Sequence, residues 1–148
     1  IKIPRGTTTT AAMGSGCSPT GDVLPDGLWF GVLQSVDASA GTFGLDLACF
    51  YVGAAADAEA VRLGRTSPVP NGYLVSNQST KIFTIPAWSN VQVLPLEMVG
   101  TGSFSGNVMP ASTGLSNAST ILTMRAPKIV WVQIVGGKAN VIQSEFTP

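Results

Sequence analysis

Eight carboxylates, eight bases, two cysteines and no histidine are the reactive side chains available to this 148-residue chain. Without imidazole there is no Ser-His-Asp or Cys-His nucleophile, no His-containing zinc hydrolase site and no imidazole proton relay. Gly-x-Ser-x-Gly and Ser-x-x-Lys patterns are also missing. Gly14 and Gly16 precede no Lys-Ser or Lys-Thr, so they form no phosphate loop.

Carboxylate pairs are the remaining catalytic option. Asp37 and Asp46 lie on either side of a first hairpin, where two carboxylates could approach to glycosidase-like distance. The plainer expectation is that Asp37 caps a turn through its side chain and Asp46 is an exposed strand residue. Asp57 and Glu59 are two apart on a helix and face different ways, while Glu59 with Arg62 reads as a surface pair. Asp22 with Asp26 is too little oxygen for calcium, which needs six or more ligands. No catalytic residue, cofactor or metal is expected.

Trp29, Trp88 and Trp131, with Phe30, Tyr51 and Tyr73, have two readings, a sugar-binding platform or core aromatics at strand spacing. Cys17 and Cys49 also have two. They form one disulfide if the chain is exported, or remain two buried thiols if it is cytoplasmic. The disulfide is the expectation, tying the N-terminal segment to the end of the second strand.

The elements that would position these residues are short. Residues 1–25 read as an extended N-terminal arm with a four-threonine run, Thr7 to Thr10. Residues 26–148 read as one β-rich domain. Leu28 to Val36 is a strand with Leu28, Phe30, Val32 and Val36 on one face and Gln34 breaking the alternation. Thr42 to Tyr51 is the second strand, after a turn at Asp37 to Gly41. Gly53 to Leu63 is Ala-rich and stopped by Gly64, a short helix with a glycine cap. Further strands are expected at Tyr73–Val75, Lys81–Ile85, Val91–Leu96 and Thr120–Met124, while residues 100–117 carry no assignable pattern. Ile129–Val135 and Ala139–Phe146 flank Gly136-Gly137, the signature of a tight hairpin. The fold class is therefore mainly β, a single antiparallel barrel or sandwich with one short α-helix.

Only 11% of residues are charged, against about 25% in ordinary domains. The bases are scattered singly, with no basic stripe for nucleic acid. Mean hydropathy is +0.32, yet no apolar run approaches the ~18 residues of a membrane span. The chain starts at Ile1 without a charged-then-apolar leader, and a removed signal peptide or a trimmed start would account for that. Asn77-Gln-Ser79 and Asn117-Ala-Ser119 are sequons compatible with export. An extracellular or cell-surface location is the expectation.

Several stretches stand in a recognisable order. They are Asp26-Gly27-Leu-Trp-Phe-Gly31, Val36-Asp37, Thr42-Phe-Gly-Leu-Asp46, the Gly53-Ala-Ala-Ala helix, and Val69-Pro-Asn-Gly-Tyr73 with Asn77. At the C-terminal end come Trp131-Val-Gln-Ile, Gly137, Val141-Ile142 and Phe146-Thr-Pro148. Over residues 26–99 and 127–148 the chain resembles a family of secreted or lipid-anchored actinobacterial proteins of uncharacterised function. The resemblance implies export and a compact, mainly β fold with one helix, and it implies no activity. Relatives carry more charge near the Asn-x-Tyr and terminal hairpin motifs, where this chain has Gly72, Leu74, Gln143 and Ser144. Loss of exposed charge is what repeated subunit contact favours.

Two functional expectations follow. The first is a non-enzymatic structural subunit of an extracellular filament, sheath or surface layer, with identical copies as its partners. Ile1 and Ile3 alternate with Lys2 and would add a strand to a neighbour, which makes them subunit-contact residues. The second is a monomeric secreted or wall-associated binding module for a glycan, small molecule or protein.

Overall fold

Trp29 and Phe30 are adjacent and both buried, although successive strand side chains point to opposite faces. Their strand must therefore be covered on both sides. In the computed structural model, which describes residues 11–100, 103–124 and 128–147, that strand is β1, Gly27–Asp37. It pairs antiparallel with β2, Thr42–Leu47, along its second half and with β9, Ile129–Val135, along its first. β2 pairs antiparallel with β5, Ile82–Leu94, and β9 with β10, Lys138–Ser144. β10 then runs parallel to β5 and closes the sheet into a five-stranded barrel.

The mainly β class expected from the sequence is the one adopted, with two differences. The closing seam is parallel rather than antiparallel, because a long connection separates β5 from β10 and lets the strands run the same way. There is also a second helix. Thr120–Met124 is not a strand: α2, Ser119–Thr123, continues a 3-10 turn at Leu115–Ala118. Leu115, Ala118 and Ile121 are buried, a spacing of three that only a helical face provides. They join the barrel interior, and the segment pairs with no strand among the described residues.

Two cores share the β1 and β9 walls. Inside the barrel lie Trp29, Leu33, Phe43, Leu45, Val91, Val93, Val132 and Ile142 among others. Outside it, Met13, Phe30, Ala48, Phe50, Ile129 and Trp131 form a second cluster. That cluster is covered by a small sheet of β3, Cys49–Val52, and β4, Tyr73–Ser76, joined through α1, Gly53–Arg62. The single expected strand Thr42–Tyr51 is thus divided at Ala48 between barrel and cover. Val36 also changes sides. A bulge between Leu33 and Ser35 moves it to the barrel interior, away from Leu28 and Val32, and Gln34 marked that break.

α1 ends as its glycine predicts. Gly64 has φ 71, its N–H donates to the Val61 carbonyl, and the Arg65 N–H donates to the Ala60 carbonyl, which is a Schellman closure. The disulfide expected between Cys17 and Cys49 is formed, across a sequence separation of 32. Beside it the Met13 N–H donates to the Phe50 carbonyl and Ser15 to Leu28, so this part of the chain packs against the second core. Ile1 and Ile3, expected to contact another copy, lie outside the described residues. β6, Leu96–Val99, and β7, Ser103–Val108, form a separate hairpin beyond β5, and β8, Ser112–Thr113, adds briefly to the β5 edge.

Candidate functional site

Glycine geometry shapes the two hairpin tips at one end of the barrel. Gly136 and Gly137 have φ 65 and φ 83, the paired left-handed conformation of a type I′ turn. Asp26, the residue just before β1, holds that turn: its two carboxylate oxygens accept the Gly136 N–H at 2.7 Å and the Gly137 N–H at 2.8 Å. The β1–β2 tip is held by Asp37, which accepts from the Ser39 hydroxyl at 2.7 Å and the Ala40 N–H at 3.0 Å.

Between the tips, β5 changes partner. Pro86 still faces Thr42 of β2, and Ala87 donates to the Gly41 carbonyl. Ala87 then faces Ala139 of β10, but the next matched pair is Gln92 with Val141. Trp88 to Val91 therefore bulge out with only Asn140 opposite. This bulge fuses the two strands expected at Lys81–Ile85 and Val91–Leu96. Ser89 and Asn90 are exposed, and Trp88 keeps 38% of its surface open.

The result is a cleft of about 730 Å³ lined by residues 38–41, 86–89, Leu115, Ser116 and Lys138. Trp88 Nε1 donates to the Val135 carbonyl at 2.7 Å, and Lys138 Nζ sits 5.0 Å from the indole centroid. A Cβ on Gly136 would lie 3.2 Å from the Trp88 ring, so the turn glycine makes room for the indole. A smaller cleft of about 540 Å³ lies on the other side, between the chain after α1 and Ile129 with Thr147. There Arg65 donates to the Val75 carbonyl at 3.3 Å, and Asp57 accepts the Val69 N–H at 2.8 Å.

The other candidates separate. Asp37 stands opposite Thr42, and Asp46 is four residues further along β2, about 13 Å at strand rise. The pair is too far apart for glycosidase work. Asp46 instead accepts from Asn77 Nδ2 at 2.8 Å. Asp22 pairs with Lys81 and Asp26 with the turn, so the two share no cation site. Among the described residues no three acidic, cysteine or histidine side chains gather as metal ligands. Glu59 pairs with Arg62, whose Nε lies 3.0 and 2.9 Å from its two oxygens.

Electrostatics fits holding rather than proton transfer. The Lys81 hydrogen bond and charge lower Asp22, the Ser39 hydroxyl followed by the Ala40 amide lowers Asp37, and the Arg62 hydrogen bond lowers Glu59. All three stay ionised, the opposite of the raised carboxyl that a general acid needs. Tyr51 is raised, by burial first and by the Glu59 charge second.

The aromatic set divides as well. Trp29 is in the barrel with Nε1 donating to the Pro25 carbonyl at 2.8 Å. Phe30, Phe50 and Trp131 interlock at centroid distances of 4.9 to 5.7 Å, and Tyr73 stacks on Phe50 at 5.9 Å. Tyr51 is half-buried beside α1. Of the six, Trp88 alone lines the larger cleft. Both sequon amides are occupied, Asn77 by Asp46 and Asn117 by the Thr113 and Gly114 carbonyls at 2.9 and 3.0 Å. Sequence reasoning did not connect Lys138 with Trp88. The available signal was Pro86-Ala-Trp-Ser-Asn90, a polar interruption between two apolar runs. No protein-family model, no curated protein and no solved structure matches the chain.

Proposed function

We propose that this chain is a non-catalytic binding module that works outside the cell, and that the cleft between the two hairpin tips receives its ligand. One observation carries the reading. Trp88 is fixed by a hydrogen bond from its own N–H and yet keeps 38% of its surface open where it lines the cleft. A concave cleft of several hundred cubic ångströms with an aromatic wall and convergent polar groups is a form that small-ligand sites take. Ser39, Ser89, Ser116 and Lys138 give this lining a mixed polar and apolar character. The closed five-strand connectivity is that of the OB barrel, in which the first and last hairpin loops flank a ligand face. That support is analogy of fold and carries no activity with it.

Export is supported by the Cys17–Cys49 disulfide, since such bonds persist in oxidising compartments. Among the described residues no helix is long and apolar enough to cross a membrane. Membership of the resembled actinobacterial family belongs to the same proposal. It gains support from motif residues that meet in space: Asp26 with the terminal turn, and Asp46 with Asn77. The test is a titration of the oxidised chain with small glycans and metabolites, following the Trp88 indole N–H by NMR. A screen in which no ligand moves that signal sinks the reading.

A structural subunit in an extracellular assembly is the second reading, and the β6–β7 hairpin favours it. Met98 and Val99 are 52% and 53% exposed, and from Pro95 to Met124 the only charged residue is Glu97. A ribbon with a single charge, Glu97, and exposed Met98 and Val99 opposes self-contact weakly. Light scattering on the native protein separates the readings, because a subunit assembles and a module stays monomeric.

A further inference from the structure

We propose that the Trp88 cleft is a site for an acidic saccharide, a sugar chain bearing a carboxylate that pairs with Lys138. The inference rests on the binding-module reading and adds the chemistry of the ligand. Lys138 is the one charged residue lining the cleft, and it has no carboxylate partner among the described residues. Of the other cations, Arg62 is compensated by Glu59 and Lys81 by Asp22, and Arg65 donates to the Val75 carbonyl. The acids near the tips are engaged elsewhere, Asp26 with the Gly136 and Gly137 amides and Asp37 with Ser39 and Ala40.

The ammonium is also placed in advance. Asp26 fixes the turn, the turn fixes the start of β10, and Lys138 rests over the Trp88 ring. Holding a charge in its bound position lowers the ordering cost of binding. A carboxylate arriving there gains a charge-assisted hydrogen bond, whereas a neutral ligand would desolvate the ammonium without replacing its partners.

The rest of the lining suits a sugar. Ser39, Ser89 and Ser116 supply hydroxyls, the open part of the indole offers a face for sugar C–H groups, and Ala and Leu side chains provide the apolar floor. Its volume of about 730 Å³ suits a short oligosaccharide rather than a single small ion. Single-stranded nucleic acid fits less well. It draws affinity from several phosphate contacts and stacks bases on free aromatic faces, while this cleft has one lysine and that lysine covers part of the ring.

The test uses the full oxidised chain with three probes, trigalacturonate, maltotriose and an oligothymidylate, read at the Trp88 indole signal. Trigalacturonate should bind at least about tenfold more tightly than maltotriose and weaken as salt rises. Lys138→Gln should remove that preference and Lys138→Arg should keep it, with the fold intact and melting lowered only slightly by Lys138→Gln, through the lost cation–π contact. Equal affinity for the two sugars, or indifference to Lys138→Gln, overturns the acidic-ligand inference and leaves the binding module standing. Tighter binding of oligothymidylate overturns the saccharide assignment. If no probe moves the indole signal while the wider screen finds a ligand that does, the inference alone falls. If nothing moves it, both fall.

Discussion

Trp131 and Trp88 flank the same terminal hairpin and use their indoles in opposite ways. Trp131 is fully buried against Phe30 and Phe50, and its N–H has no acceptor among the described residues. Trp88 is partly open, and its N–H is bonded to the Val135 carbonyl. Shape alone orients the first ring, and a directed bond orients the second. A buried ring can leave its polar handle unsatisfied if packing outweighs the roughly 1–3 kcal/mol lost. A surface ring has little packing, so it needs the bond to stay in place. The contrast separates an aromatic that builds the fold from one that presents a surface.

The largest expected effect comes from removing each ring. Trp131→Ala should destabilise the protein by about 3–5 kcal/mol, as large core truncations do. Trp88→Ala should cost about 1–2 kcal/mol, the worth of one hydrogen bond and a cation–π contact. Urea denaturation measures both. Trp131→Phe sharpens the comparison, because it keeps much of the packing and deletes an unsatisfied donor. It should cost well under half as much as the alanine variant. Equal losses from Trp131→Ala and Trp88→Ala would erase the distinction.

Next in size is the disulfide, which joins the two cores. Cys17 packs against the barrel core and is bonded to Cys49, which precedes Phe50 of the outer cluster. Closing a loop with a sequence separation of 32 is worth about 3–4 kcal/mol in the chain-entropy model. Replacing both cysteines by serine should lower stability by up to that amount, seen as a drop in the urea midpoint. The Trp131 indole resonance should shift while the Trp88 resonance stays put. Movement of both signals would mean that the two regions are one cooperative packing unit.

Asp26→Ala acts on the other side. It frees two turn amides, and about 1–2 kcal/mol is expected, given that charge-assisted bonds are worth up to ~3 when buried and this carboxylate is exposed. The specific readout is the Lys138–Trp88 contact, lost as a change in the Trp88 indole shift with Trp131 unaffected.

The two regions also differed in how readable they were. The buried side was written in apolar type and spacing: Phe30, Phe50 and Trp131 sit in apolar runs, the hairpin around Gly136-Gly137 has a local turn signature, and Cys17 with Cys49 is expected to bond on the reading of an exported chain. The open side depends on register. Trp88 looks like any strand aromatic until β5 is known to leave β2 for β10 at Ala87, and that exchange is a long-range pairing that no local window contains. α2 was misread for a related reason. Thr120, Ile121 and Thr123 are β-branched, but Leu115, Ala118 and Ile121 pack into the barrel core, so tertiary packing overrode local propensity.

The smallest expected effect concerns the β1–β2 tip beside Trp88 and depends on pH. The Ser39 hydroxyl and the Ala40 amide hold the Asp37 carboxyl below its ordinary 3.8. In the unfolded chain those bonds are gone and the ordinary value returns. A folded value that is lowered means the unfolded state takes up a proton first as pH falls. The contribution of Asp37 is therefore complete above pH 3.8, declines below it, and disappears once pH passes the lowered folded value. Melting temperatures between pH 7 and pH 2 should fall more steeply for the native chain than for Asp37→Asn. Because the carboxyl is fully exposed, solvent screening keeps the difference small. Asp22 and Glu59 are lowered too, so both proteins lose stability in acid, and the Asp37 effect is the gap between the two curves. Coincident curves would show that the turn holds its shape without the charge, leaving Gly41 and the strand pairing to set the wall of the cleft.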